Sequence, residues 1–158
     1  MENKQIEKLK KFRLFLLKEI SELTPGQLNE IPHGLNSNII WNLAHIVAAS
    51  QMIFYKRSGS GFTIDEKLIT PFLPYTQAPT SIDNTTINLI RECALSSLDH
   101  MQSDYTALCH GTYIKSENIE RVYGIQILNI DDALDFLLYH EGYHAAKIIA
   151  IKQLIINK

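Results

Sequence analysis

The chain has 158 residues, 46% of them hydrophobic, and a formal net charge of −2. That length suits one domain, residues 1–158, with its own core, and the near-neutral charge excludes an electrostatic nucleic-acid surface. No run of 18 uncharged apolar residues occurs, which excludes a helical membrane span, and no signal-peptide core follows Met1-Glu2-Asn3, so the expected location is cytoplasmic.

Residues 3–23 read as a first helix, because Ile6, Leu9, Phe12, Leu16, Ile20 and Leu23 recur at three- and four-residue spacing. Phe15 and Leu17 widen its apolar stripe. The basic group Lys8, Lys10, Lys11 and Arg13 reads as a solvated face. Thr24-Pro25-Gly26 stops the helix, and Pro32-His33-Gly34 marks another loop. Asn36-Ser37-Asn38 offers N-caps for a second helix over residues 37–58. That helix is apolar over most of its circumference and carries His45, with no charged residue within seven positions on either side. Trp41 and Asn38, four and seven residues earlier, share the side of His45 and are candidate pocket residues, although Trp41 also suits an ordinary core.

Gly59 and Gly61 end the second helix. The connection over residues 59–80 is long for a compact domain and carries Phe62, Phe72 and Tyr75; a lid on one bundle end and a crossover between distant helices both fit it. A third helix spans about 81–109, with Ile87, Ile90, Ala94, Leu98, Met101, Tyr105 and Leu108 in register and Gly111 as its stop. Cys93 and Cys109 on one such helix stand about 24 Å apart, far beyond the ~7 Å a disulfide spans, so they read as free thiols. Residues 112–128 fit a short hairpin or an irregular crossing. Asn129 caps the last helix, residues 130–156, with Asp131 and Asp132 at its positive end and Leu134, Leu137, His140, His144, Ile148 and Ile151 along one face. Four long helices without strand alternation or internal repeat predict an all-α four-helix bundle.

Of the six histidines, His33, His100 and His110 read as surface residues. His45, His140 and His144 differ because their surroundings are apolar. Side chains four apart leave one helix face with Cβ atoms roughly 5–6 Å apart, so His140 and His144 can share one metal ion. A buried histidine pair is costly unless both rings are satisfied. With His45 from a facing helix, these are the candidate metal ligands.

His140-Glu141-Gly142-Tyr143-His144 also fits the H-E-x-x-H pattern of zinc proteases. Such a site takes a third ligand downstream, yet the fourteen residues after His144 hold no His, Asp, Glu or Cys, which argues against proteolysis. Glu141 is turned about 100° from His140. It is a weak catalytic candidate, with a proton carrier, a support behind the ligands and a plain surface residue all open.

Asn36-Ser37-Asn38-Ile39-Ile40-Trp41-Asn42-Leu43-Ala44-His45-Ile46 resembles the second-helix motif of the DinB/YfiT-like superfamily. Asp132-Ala133-Leu134-Asp135-Phe136 with His140-Glu141-Gly142-Tyr143-His144 resembles its fourth-helix motif. The resemblance implies a four-helix bundle of variant up-and-down topology, metal ligation by His45, His140 and His144 with zinc or nickel, and a homodimer. Members of that superfamily include transferases of low-molecular-weight thiols such as bacillithiol and thiol-dependent isomerases.

Three imidazoles leave a coordination position open, as catalytic rather than structural zinc sites do. An open cation lowers the pKa of bound water to about 7 and deprotonates a coordinated thiol. The leading expectation is therefore transfer of a small thiol to an electrophilic small molecule. The alternatives are a metal-dependent hydrolase, with Glu141 relaying protons, and a non-catalytic, stress-related protein whose metal only staples the bundle. Imidazole ligands do not select among zinc, nickel, copper and iron.

Overall fold

The computed structural model describes residues 2–79 and 81–157. Capping side chains set the start of each long helix. Asn3 accepts from the amides of Gln5 and Ile6 to begin α1 (Lys4–Glu19). A Thr24–Gln27 capping box with Pro25 at the first turn forms the short α2 (Pro25–Asn29). Asn38 accepts from the Trp41 amide to start α3 (Ile39–Ser50). After a four-residue α4 (Glu66–Ile69), Asp83 caps α5 (Asn84–Leu108), Ser116 caps α6 (Glu117–Tyr123) and Asn129 caps α7 (Ile130–Ile156). No strand occurs among the described residues. The segment 112–128, read as a hairpin or irregular crossing, therefore holds a helix, closed by Gly124 in the left-handed region at φ 68°.

The second long helix is not uniform. Past Ser50 it loosens into a π turn (Gln51–Tyr55) and tightens into a 3-10 turn (Lys56–Ser58) before Gly59 at φ 80°. The Gln51 amide oxygen accepts from the Thr63 backbone N–H at 2.8 Å, which ties this stretch to the chain that follows.

The bundle is formed by α1, α3, α5 and α7. Each of α1 and α3 packs against both α5 and α7. Chain neighbours α1 and α3 are thus diagonal, and so are α5 and α7. One core cluster joins Ile6 and Leu9 of α1 with Ile53, with Leu98 and Met101 of α5, and with Leu134 and Leu137 of α7. The other joins Leu16 and Ile20 with Ile39 and Leu43, with Ile87 and Ile90, and with Ile148 and Ile151. Hence α1 and α7 run one way and α3 and α5 the other. Parallel neighbours α3 and α5 need a connection that travels the bundle's length, and residues 59–83 provide it. Ile69 and Phe72 of that connection are buried against the second cluster.

Arg13 corrects the sequence reading most sharply. It is not on a solvated face but wholly buried, as is Glu141. Its guanidinium donates to both Glu141 carboxylate oxygens, and its Nη1 donates to the Ala94 carbonyl and to Ser97 Oγ at 3.0 Å each. Lys10 and Lys11 remain on the surface, paired with Asp99 and Glu7. Phe15, expected to widen the core face, is 42% exposed and stacks on Phe12. Cys93 and Cys109 are free thiols.

Candidate metal centre

His45 sits midway along α3, and His140 and His144 are one turn apart on α7, the helix that packs against it. The ring centroids lie 5.1 Å apart for His45 and His140, 4.5 Å for His45 and His144, and 4.6 Å for His140 and His144. One ring nitrogen from each lies within 4.8 Å of the others. No fourth His, Cys, Asp or Glu joins this group among the described residues. His33, His100 and His110 are exposed and apart from it.

Two of the rings have their tautomer fixed from behind. His45 Nδ1 is 2.6 Å from the Phe72 carbonyl, which only accepts, so Nδ1 carries the proton and Nε2 keeps its lone pair. His144 Nδ1 is 2.8 Å from Asn42 Oδ1. Asn42 spends its side-chain amide N–H groups on Ser37 Oγ and the Asn38 carbonyl, so the oxygen faces His144 and accepts. This is the support that metal-binding imidazoles ordinarily receive. His140 has none: its Nδ1 is buried without a partner among the described residues. A buried imidazole nitrogen left without a partner is costly, so this ring calls for a partner that the described residues do not supply.

Burial also sets the charge state. It is the main cause holding all three imidazoles below the usual histidine range. His140 falls to about 3, with the charges of His45 and Arg13 adding to the effect. His144 falls to about 2, with His140, His45 and Lys147 contributing. His45 is lowered too, the Phe72 hydrogen bond opposing the shift and Lys147 adding to it. All three are neutral at neutral pH, the form that ligates metal. The donor set, the supported tautomers and the orphaned nitrogen fit a divalent transition metal.

The cluster forms part of the wall of a cavity of about 420 Å³. Trp41 lines it and stacks flat on His45, 4.8 Å between centroids and 8° between planes. Tyr75, Ile119, Tyr123, Phe136 and Tyr143 supply further wall. The crossover thus contributes to the site: the Phe72 carbonyl orients a ligand ring and Tyr75 lines the cavity.

Not every residue singled out from the sequence is here. Asn38 is fully buried as the α3 N-cap, donates to the Asn29 carbonyl at 3.0 Å, and does not line the cavity. Glu141 points the other way, into the bundle axis, and is no surface residue. Burial raises its carboxyl above the usual carboxylate range, opposed by the Arg13 charge and hydrogen bonds, and the carboxyl is committed to the Arg13 guanidinium. Asn42 and the Phe72 carbonyl are functional groups that sequence reading passed over. Asn42 had a signal, a lone amide inside an apolar helix beside Trp41; a backbone carbonyl has none.

A family model described as the DinB superfamily matches residues 9–148, and the chain belongs to that superfamily. No curated protein and no solved structure matches the chain.

Proposed function

We propose that this DinB-superfamily protein is a metal-dependent enzyme that transfers a low-molecular-weight thiol, of which bacillithiol is an example, to an electrophilic small molecule. His45, His140 and His144 hold the ion in this reading. The observation that carries it is the convergence of three neutral imidazoles, with no fourth His, Cys, Asp or Glu among the described residues, on the wall of a cavity large enough for a small guest. A bound zinc or nickel ion supplies Lewis acidity that favours the thiolate form of the guest thiol.

The chain's own residues position and shield. Phe72 and Asn42 keep two imidazoles in the ligating tautomer, and Trp41 with Tyr75, Tyr123 and Tyr143 supplies aromatic wall for a guest. The thiol gives its proton to solvent, the sulfur forms its bond to the electrophilic carbon, and the bond that breaks leaves its electron pair on the departing chloride or on the opened epoxide oxygen, which takes up a proton. The hydrolytic alternative relies on Glu141 to relay protons, and among the described residues no Asp or Glu lines the cavity, Glu141 being committed to Arg13. That is why thiol transfer is favoured. A homodimer belongs to the same reading and rests on the family resemblance.

The test is to load the protein with zinc or nickel and offer a panel of small thiols with a chlorinated or epoxide acceptor, following the thioether by mass spectrometry. Product that requires both thiol and metal, and that vanishes in His45→Ala, is expected. Acceptor turnover without any thiol would put hydrolysis in its place.

A further inference from the structure

The cavity beside the histidines carries a charge pattern that metal ligation does not use. Arg57 and Lys147 both line it, and among the described residues no Asp or Glu does. Neither cation is in an ion pair among the described residues. Lys147 Nζ lies 4.8 Å from the centre of the Tyr143 ring, whose face holds it over the α7 side of the cavity. Arg57 is braced: its Nη1 donates to the carbonyls of Ile114 at 3.1 Å and Lys115 at 2.8 Å, and its own carbonyl accepts from the Ile114 amide at 2.7 Å. A guanidinium has five N–H donors, so the remaining ones are left for a guest. Trp41, only 9% exposed and lining the same cavity, has an indole N–H buried without an acceptor. Two cationic residues and a tryptophan with an unsatisfied donor thus line one cavity that no Asp or Glu lines among the described residues.

The placement of Arg57 comes from the π turn. On an unbroken α-helix Lys56, eleven residues after His45, would lie about 20° from it. The wider π turn over Gln51–Tyr55 takes up one additional residue, so the face is reached one position later. Arg57 accordingly lines the cavity, while Lys56 sits 5.6 Å from the centre of the Phe62 ring.

We propose that this cavity selects a small molecule bearing an oxyanion group, a carboxylate or a phosphate, with Arg57 and Lys147 as its charge partners. A rigid guanidinium fork suits the paired oxygens of either group. The inference names the ligand class of the site assigned above, and so rests on that assignment for the cavity being the substrate site.

The experiment uses metal-free protein, so that direct ligation of the anion by a metal plays no part. The single tryptophan, Trp41, reports from within the cavity. Succinate, inorganic phosphate and the neutral butane-1,4-diol are titrated at constant ionic strength, reading Trp41 emission and calorimetric heat. At least one anion should bind about tenfold more tightly than the diol, and which one does so assigns the class. Lys147→Met and Arg57→Met should each cost about tenfold in that affinity, and Lys56→Met should cost nothing. Arg57→Met also removes the brace on residues 114–115, so melting is followed by circular dichroism; the Lys147 side chain makes no hydrogen bond among the described residues, and its variant decides the matter if the arginine variant unfolds. Equal binding of the diol, no binding by either readout up to about 10 mM, or an equal loss in Lys56→Met overturns the proposal. Anion binding without thiol transfer would leave this inference standing and remove the catalytic one. Thiol transfer without charge preference would do the reverse.

Discussion

Asn42 decides how His144 presents itself. Its amide N–H groups are spent on Ser37 and Asn38, and its oxygen on His144 Nδ1. Replacing it with Ala leaves the ring free to turn and to change tautomer. Groups that support a ligating histidine in this way are worth roughly 10- to 100-fold in metal affinity. Asn42→Ala should therefore weaken zinc binding by that factor in competition with a chromophoric chelator, while His144→Ala should reduce it further. An unchanged affinity in Asn42→Ala would mean that the hydrogen bond does not matter.

The depressed imidazoles carry a second expectation, for the metal-free protein. Each has a folded pKa below its unfolded value, so the unfolded chain binds more protons as pH falls below about 6.5. Stability is then fully present above about 6.5 and is lost progressively toward the folded values, about 3 for His140 and about 2 for His144. The slope is at most ~1.4 kcal/mol per pH unit for each group. Urea midpoints should fall between about pH 7 and about pH 5, and His140→Leu should flatten the decline. The three histidines were legible in the sequence because polar rings in an apolar helix call for a reason. The support behind His45, the Phe72 carbonyl from the long connection, leaves no trace in side-chain chemistry.

At the scale of the helices, Arg13 and Glu141 tie α1 to α7 and, through Ser97 and the Ala94 carbonyl, to α5. Their burial was readable. Ile6, Leu9, Arg13, Leu16 and Ile20 keep three-and-four spacing, as do Leu134, Leu137, Glu141, Ala145 and Ile148. One basic and one acidic residue thus occupy core positions of two helices that must pack, which is the sequence mark of a buried pair. Counting Arg13 with the neighbouring lysines hid it. Removing one partner strands a charge in the core, so Arg13→Leu should cost about 3–5 kcal/mol in chemical denaturation. The double variant Arg13→Leu with Glu141→Leu should recover most of that loss, because an apolar pair of similar volume is often neutral there. A double variant as unstable as the single would show that the packing, not the stranded charge, is at issue. The helix over 117–123 was missed for a different reason. Ser116 and Gly124 are good start and stop signals, but Val122, Ile125 and Ile127 suggested strand. The π turn is set by packing and by the Gln51–Thr63 bonds between distant groups, so local propensity does not report it.

For the molecule as a whole the question is whether the metal holds the bundle together or only occupies it. The four-helix architecture followed from apolar periodicity alone, and the structure shows why that suffices. Two apolar clusters lie toward opposite ends of the bundle, and neither includes a ligand histidine. Buried area of this extent is the main stabilising term in a domain of this size. A bound ion adds only its linkage energy, about 2.7 kcal/mol when free metal is a hundredfold above the dissociation constant. At roughly 2–4 °C per kcal/mol, chelation should lower the melting temperature by about 5–11 °C. The far-ultraviolet helical signal at room temperature should stay the same, because the caps and both clusters remain. Full loss of that signal on chelation would instead support a metal staple and count against catalysis. A melting temperature unmoved by chelation, in protein shown by metal analysis to have been loaded, would mean that the three imidazoles hold no ion in the folded state more tightly than in the unfolded one. Circular dichroism and elemental analysis on one preparation separate these outcomes.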